Sequence, residues 1–443
     1  MNREDFPLIM GSENDMADCC MGCKWKAKPD GLIYFDNAAT MQKPRRVIRA
    51  VEEFYETSNA NPLRGIYDLS QEATRMVNEA REKVAEFIGA FSAEEVIFTS
   101  GATEGLNMVA KWCGEFGNLL VSSGPSDGLG ADDEIIVGMG EHHANLLPWG
   151  RIARETGAKL RLVKCQRDGT MDEEEFFRVL TPNTRVVAMN LVGNVMGGGN
   201  DVKRMFRVAH EKSGAICVLD AAQAVAHRRI NVQELGADFM VFSGHKMGAP
   251  MGIGVLYGKR ELLEKVEPVK LGGEMMEWVE VRRSETERRV DLAWEMDDGG
   301  IFVKYAKIPQ RFEAGTMNVG GIIGLRAAVE YLEEVGLKKI GEYERRLTDY
   351  AMERISGDSV EIYGAENGII ALNVMGVHPQ DTAEILNQEG IAVRAGWHCA
   401  QPMLEFLGIG PVVRISLCFY NTEEEVDKLV RVLSEVRGKM GMT

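Results

Sequence analysis

"VFSGHKMGAPMGIGVLYG", residues Val241 to Gly258, opens as an apolar strand, sets serine, histidine and lysine together at its end, and returns through glycines into a second apolar strand. A lysine in such a place is ordinarily a solvated surface charge. Its neighbours do not fit that reading, and the rest of the chain shows why. Upstream, "EVIFT", "DEIIVG", "KLRLV", "RVVAMNLV", "AICVLD" and "DFMVFS" read as strands, with "GIGVLYG" as the seventh. Between them, "NLLPWGRIARETG" and "DVKRMFRVAHEKSG" carry apolar residues at the three- and four-residue spacing of helices. Short β-branched runs alternating with amphipathic helices specify an α/β fold, a mostly parallel seven-stranded sheet with helices on both faces.

The order changes near Gly320. Two long helical stretches, "GIIGLRAAVEYLEEVG" and "IGEYERRLTDYAMERI", precede strands "GIIALNVM", "IAVRAG" and "VVRISLCF" and a last helix. Thr422 and Glu425 before that helix have capping-box spacing. We therefore expect a tail or small appended element over residues 1–30, a large domain over 31–315 and a smaller α+β domain over 316–443. Residues of about 31–60 are expected to pack on the smaller domain. The charged stretch of residues 280–300 reads as a surface insertion without chemistry.

The chain has 443 residues, 45% of them hydrophobic and 27% charged, with a formal net charge of -16. Two cores suit that length. An acidic surface repels nucleic acid and anionic membranes, so small molecules and proteins are the expected partners. No apolar run approaches the ~18 residues of a membrane span, and "MNREDFPLIMGSENDM" lacks the blocks of a signal peptide. The expected compartment is the cytoplasm, where eight cysteines stay reduced.

Ligands of open α/β sheets lie beyond the carboxyl ends of the strands. After "EVIFT" comes "SGATEGLN", a turn of small residues leading into a helix, with Ala102 and Thr103 placed to cradle a phosphate. The other strand ends bring His142, Asn194, Asp220, Gln223, Ser243, His245 and Lys246. Together these fit pyridoxal phosphate. An amine must hold the aldehyde as a Schiff base, and a carboxylate must face the pyridine nitrogen, roles that Lys246 and Asp220 can fill. His142 can stack on the ring, Asn194 and Gln223 can bond the phenolic oxygen, and hydroxyls with His245 can bond the phosphate. A nucleotide site fits poorly, because Gly252 and Gly254 lack a third glycine at dinucleotide spacing.

The motifs "NAAT", "SGATEGLN", "EHHANLLPW", "DAAQAV", "SGHKMGAPMGIGVLY", "RFEAGTMN" and "RAGWHCAQP" resemble those of class V aminotransferases, specifically the Suf-type cysteine desulfurases. The resemblance runs from Ile33 almost to the C-terminus. It implies a fold-type I pyridoxal-phosphate transferase, Lys246 as the Schiff-base lysine, and Thr103, Ser243 and His245 as phosphate ligands. Thr316 resembles the residue that reaches the phosphate of a neighbouring subunit, so a homodimer is implied. Arg414 resembles the arginine that pairs with the substrate carboxylate, assisted by Arg394, with Arg64 also on the substrate side. Cys399 resembles the nucleophile that takes sulfur from L-cysteine as a persulfide and leaves alanine, for delivery to an acceptor or iron–sulfur scaffold protein.

The chain departs from that pattern at Trp397 and Leu63, where relatives often have histidine, and at Leu191, which replaces a histidine before Asn194. Cys19, Cys20 and Cys23 are also outside it; Cys20 and Cys23 have the spacing of half a zinc or iron–sulfur site. Cys113, Cys165, Cys217 and Cys418 lie in apolar or helical stretches and read as core. Two rival readings keep the fold: a selenocysteine lyase or other β-elimination enzyme, which would act without Cys399, and a metal- or cluster-binding scaffold on an inactive site, which would not bind the cofactor.

Overall fold

A computed structural model describes residues 3–10, 31–117, 128–281, 301–355, 357 and 359–442. Cys19, Cys20 and Cys23 and nearly all of the charged insertion lie outside these residues. Strand β1 (Ile33–Tyr34) is followed by the strands of one large sheet: β2 (Val96–Thr99), β3 (Glu134–Gly138), β4 (Lys159–Val163), β5 (Thr184–Asn190), β6 (Ile216–Asp220), β7 (Phe239–Ser243) and β8 (Gly254–Gly258). Their order is β2-β8-β7-β6-β5-β3-β4. Only β8 runs against its neighbours, so the carboxyl ends of the other six lie along one edge. β2, β3, β6 and β7 are buried throughout, as strands covered on both faces must be. β4 closes the sheet with exposed Lys159 and Arg161, charges that discourage pairing with another chain.

The smaller sheet has the order β11-β12-β15-β14, built from β11 (Val360–Glu366), β12 (Ile369–Val374), β14 (Arg394–Gly396) and β15 (Val412–Ser416). The expected strand "IAVRAG" divides in two. Its first part, β13 (Ile391–Ala392), pairs parallel with β1, which ties the beginning of the large-domain segment into the smaller core. Helix Glu423–Lys439 begins with the Thr422/Glu425 capping box that the sequence indicates.

Three segments differ from the sequence reading. Residues 3–10 are packed: Phe6 and Ile9 are buried in the large core, Arg3 pairs with Glu425 at 2.5 Å, and Asp5 accepts from the Tyr331 hydroxyl at 2.8 Å. Helix Val319–Val335, assigned above to the smaller domain, buries its residues in the large-domain core against helices Arg45–Glu53 and Asp68–Ile88. A Cβ at Gly324 would stand 2.5 Å from Pro250, so glycine permits that close approach. Flanking the insertion, β9 (Met276–Val281) and β10 (Ile301–Tyr305) form an antiparallel ribbon.

One buried ion pair braces the large domain. Arg81 and Glu313 meet at 2.7 and 2.8 Å, Phe98 N–H donates to Glu313 Oε1 at 2.7 Å, and the Arg81 guanidinium lies over the Phe98 ring. Removing one member strands the other charge in the core, a loss of about 3–5 kcal/mol. Glu313→Ala should lower stability to urea by that amount; a loss below about 1 kcal/mol would show that the pair is not a brace.

Among the described residues no helix is long and apolar enough to cross a membrane.

Candidate active site

The carboxyl edge of the large sheet collects the residues singled out above. β7 ends in Ser243 and a 3-10 turn, Gly244–Met247, carries His245 and Lys246. Three donors from one loop converge on the His245 carbonyl and fix that turn: Met41 N–H at 3.0 Å, Thr40 Oγ1 at 3.1 Å and Lys43 Nζ at 3.1 Å. Burial pushes the Lys246 ammonium down to about 8 from its ordinary 10.5, against the pull of Asp220, with Arg414 adding to the fall. A neutral amine at the end of a buried strand can attack an aldehyde. Uptake of pyridoxal phosphate by cofactor-free protein should therefore rise with pH and level off near 8. A rate still climbing through pH 10, as for an ordinary lysine, would contradict this environment.

Asp220 closes β6 beside that amine. Its carboxylate accepts from Ala222 N–H at 2.9 Å, and burial raises its pKa while Lys246 opposes the rise. Asn190, paired with Asp220 in register, leads to Glu141, a buried carboxyl pushed up to about 8, mainly by burial. Glu141 accepts from Asn190 N–H and Nδ2, each at 2.8 Å, and from Asn145 Nδ2 at 2.7 Å. These bonds hold the turn that carries His142.

His142 is pushed down to about 4 by burial and then by Lys246, so its ring is neutral at pH 7. Its Nδ1 accepts from Ala144 N–H at 3.1 Å. The proton is thereby assigned to Nε2, which makes the ring a hydrogen-bond donor and a stacking surface rather than a base.

At the other end of the cradle, Ser243 Oγ accepts from Ala102 N–H at 2.9 Å at the start of helix Ala102–Phe116. Thr103 is exposed on that first turn. A Cβ on Gly254 would meet the Gly101 backbone at 2.5 Å, so the turn sits directly against β8. His245 Nδ1 is buried and has no partner among the described residues. Gln223 Nε2 donates to Ala38 O at 2.9 Å. A helix N-terminus, a hydroxyl, an orphaned imidazole nitrogen, a carboxylate beside an amine and a neutral ring together fit pyridoxal phosphate.

The smaller domain supplies the opposite wall. Arg414 on β15 is buried, and burial pushes it down to about 10. Its Nη1 donates to Asn194 O at 2.8 Å, while its Nε has no partner among the described residues. Asn194 Nδ2 donates to His398 O at 2.7 Å, and His143 N–H to Cys399 O at 3.0 Å. Both residues of that loop adopt left-handed backbone, His398 at φ 52° and Cys399 at φ 57°, a conformation costing about 1–3 kcal/mol each outside glycine. The bonds from the large domain hold it. Cys399 is exposed, whereas Cys113, Cys165, Cys217 and Cys418 are buried as the sequence indicates.

Arg64 and Thr316 are not brought to this wall. Arg64 Nε lies 2.9 Å from Glu274 Oε2, and Thr316 is exposed just after Gly315, whose N–H donates to Gly273 O at 2.9 Å. The departures from the family pattern are packing positions. Leu191 is buried in the large core and Trp397 covers a small core beneath the cysteine loop, while Leu63 takes a left-handed turn at φ 80°. Asp36, in "FDNAAT", escaped the sequence reading; it pairs with both Arg394 and Arg414.

Fold and site together define a class of enzyme. The chain belongs to the aminotransferase class-V family, whose sequence model matches residues 33–429. A probable cysteine desulfurase of Halalkalibacterium halodurans is 41% identical over 413 residues, 93% of this chain and 94% of that protein. A cysteine desulfurase of Enterobacter sp. strain 638 is 40% identical over 442 residues, 99% of this chain and 98% of that one. Among solved structures, the apo cysteine desulfurase of Thermococcus onnurineus NA1 superposes with a TM-score of 0.81 at 37% identity, covering 92% of this chain and 95% of its own. The Escherichia coli cysteine desulfurase CsdA, in its S-sulfonic acid form, gives 0.82 at 33% identity, covering 99% and 98%.

Proposed function

We propose that the protein is a pyridoxal-phosphate-dependent cysteine desulfurase that converts L-cysteine to L-alanine and keeps the sulfur on Cys399. The observation that carries the reading is the convergence of four residues: Asp220 and Lys246 lie at the ends of the adjacent strands β6 and β7, and the bonds Arg414–Asn194, Asn194–His398 and His143–Cys399 dock Arg414 and the Cys399 loop against that edge. Lys246 would carry the aldehyde, Asp220 would face the pyridine nitrogen, His142 the ring, and Ser243, His245 and the backbone at Ala102 the phosphate. The bound cofactor supplies an electron sink for charge developing at the substrate's α-carbon.

The chain's own residues do the rest. Arg414, buried with donor capacity to spare, binds the substrate carboxylate and orients the α-carbon toward Lys246. Lys246 removes the α-proton; at neutral pH a group titrating near 8 is suited to move protons both ways. His142 donates from Nε2. The Cys399 thiolate attacks the substrate sulfur, forming a sulfur–sulfur bond as the carbon–sulfur bond breaks. Both electrons of the broken bond stay with the carbon product, which takes up a proton and leaves as alanine. Incubation with L-cysteine and no acceptor should give alanine and protein-bound sulfane sulfur in equal amounts; alanine without bound sulfur would favour a lyase.

We further infer a homodimer. Met251, Leu271 and Trp278 are 66%, 71% and 63% exposed, and the bonds of Gly315 to Gly273, Arg64 to Glu274 and Asn318 to Gly252 place Thr316 and Arg64 beside the segments that carry them. Exposed apolar side chains grouped in this way mark an interface, and across it Thr316 would reach the phosphate held by the partner subunit. Sedimentation should give twice the chain mass at micromolar concentration, and a monomer carrying full activity would contradict the inference. The sulfur held by the exposed Cys399 would pass to an acceptor protein for iron–sulfur cluster assembly in the cytoplasm.

A further inference from the structure

Asp36 lies outside every role assigned so far. The chain is fixed there against the smaller domain: Phe35 N–H donates to Ala392 O at 2.9 Å, Ser416 N–H donates to Phe35 O at 2.7 Å, and Asp36 itself forms a parallel bridge with Ser416. The carboxylate therefore stands beside β14 and β15, where Arg394 and Arg414 face each other as cross-strand partners. Like charges in that relation repel. Asp36 offsets them, but unequally.

Arg394 gives Asp36 its whole fork, with Nε 3.1 Å from each oxygen and Nη2 2.9 Å from Oδ2. Arg414 reaches Oδ1 only at 3.3 Å and keeps a buried Nε with no partner among the described residues. Two guanidinium groups and one carboxylate leave a single net positive charge; the buried donor without a partner among the described residues is Arg414 Nε, whereas Arg394 is half-exposed and keeps Nη1 outside its pairing with Asp36. Arg394 also opens β14 (Arg394–Gly396), the strand that runs directly into the loop carrying Cys399. A free guanidinium there would attract an acidic side chain into the space that the substrate thiol must occupy.

We propose that Asp36 is a specificity-determining residue: by occupying the guanidinium of Arg394 it makes the site accept an amino acid with one carboxylate and reject one whose side chain carries a second. This inference rests on the reading of Arg414 as the carboxylate-binding residue. In Asp36→Asn the amide no longer neutralises Arg394, which becomes available to a side-chain carboxylate.

The test titrates cofactor-loaded protein with L-alanine and L-aspartate, following the cofactor's absorbance. In Asp36→Asn, L-aspartate should tighten by about tenfold or more while L-alanine moves less than about threefold. The gain should vanish in Asp36→Asn/Arg394→Gln and be absent in Asp36→Glu. An unchanged ratio of the two affinities, or a gain that survives loss of Arg394, overturns the proposal. Should Asp36→Asn not fold, Arg394→Gln alone tests it: Asp36 then competes for Arg414 and L-alanine should weaken by about tenfold, whereas unchanged binding overturns it. Arg414→Lys separates the two readings. If L-alanine binding survives it, the carboxylate assignment fails; if that binding falls and the Asp36→Asn ratio stays fixed, only the role of Asp36 fails.

Discussion

Cys399→Ser should leave the protein able to bind its cofactor and L-cysteine yet lower alanine formation by at least about 10³-fold. The size of the effect follows from what serine lacks. An alkoxyl group is a poor nucleophile toward sulfur and is not ionised near pH 7, whereas a thiol is partly ionised and attacks sulfur readily. Both side chains fit the same left-handed turn, and the hydrogen bond from His143 N–H goes to the main-chain carbonyl of residue 399, so the loop should be preserved. Binding and proton abstraction remain, and sulfur removal stops. Alanine formation within a factor of about ten of the parent would make the enzyme a lyase that does not need this thiol.

Lys246→Ala should lower turnover by about 10⁴-fold or more, and the cofactor should be lost on gel filtration. Two functions disappear with one amine: the covalent hold on the aldehyde and the base that acts at the α-carbon. Neither has a substitute nearby. His142 is neutral with its free nitrogen protonated, His245 is likewise pushed down to about 4 by burial and then by Lys246, and Lys43 is engaged with the His245 carbonyl. Added methylamine should restore a small fraction of activity, since the cavity left by the side chain opens onto the same Asp220. Retained turnover without rescue would move the base to another residue.

The large sheet was legible because each strand carries its own signal, a β-branched run bounded by turns. The site was legible for the same reason: Ser243 and Asp220 end strands, and His245 and Lys246 follow one directly. Other features arise only after folding. Helix Asp68–Ile88 begins at Tyr67 without a side-chain cap, which removes the usual start signal. β9 and β10 carry exposed Trp278 and a Lys304–Glu277 ion pair, and none of the side chains described on the ribbon is fully buried. β11 is half exposed and bulged against β12. Asp36 escaped because its meaning depends on two arginines that lie more than 350 positions away in sequence and meet it only across the domain junction. Arg64 and Thr316 were found by resemblance alone, and nothing within one chain draws either toward Lys246.

The central claim is that Lys246 and Cys399 act on one bound molecule of L-cysteine. Mass spectrometry of the peptide containing Cys399, after cofactor-loaded protein is mixed with L-cysteine labelled in its sulfur, tests it most directly. The account predicts one labelled sulfur atom on that peptide, in amounts matching the alanine released, and none on it when Lys246 is replaced by alanine. Labelled sulfur on another cysteine with residue 399 unmodified, or labelling of residue 399 that persists without Lys246, would contradict it.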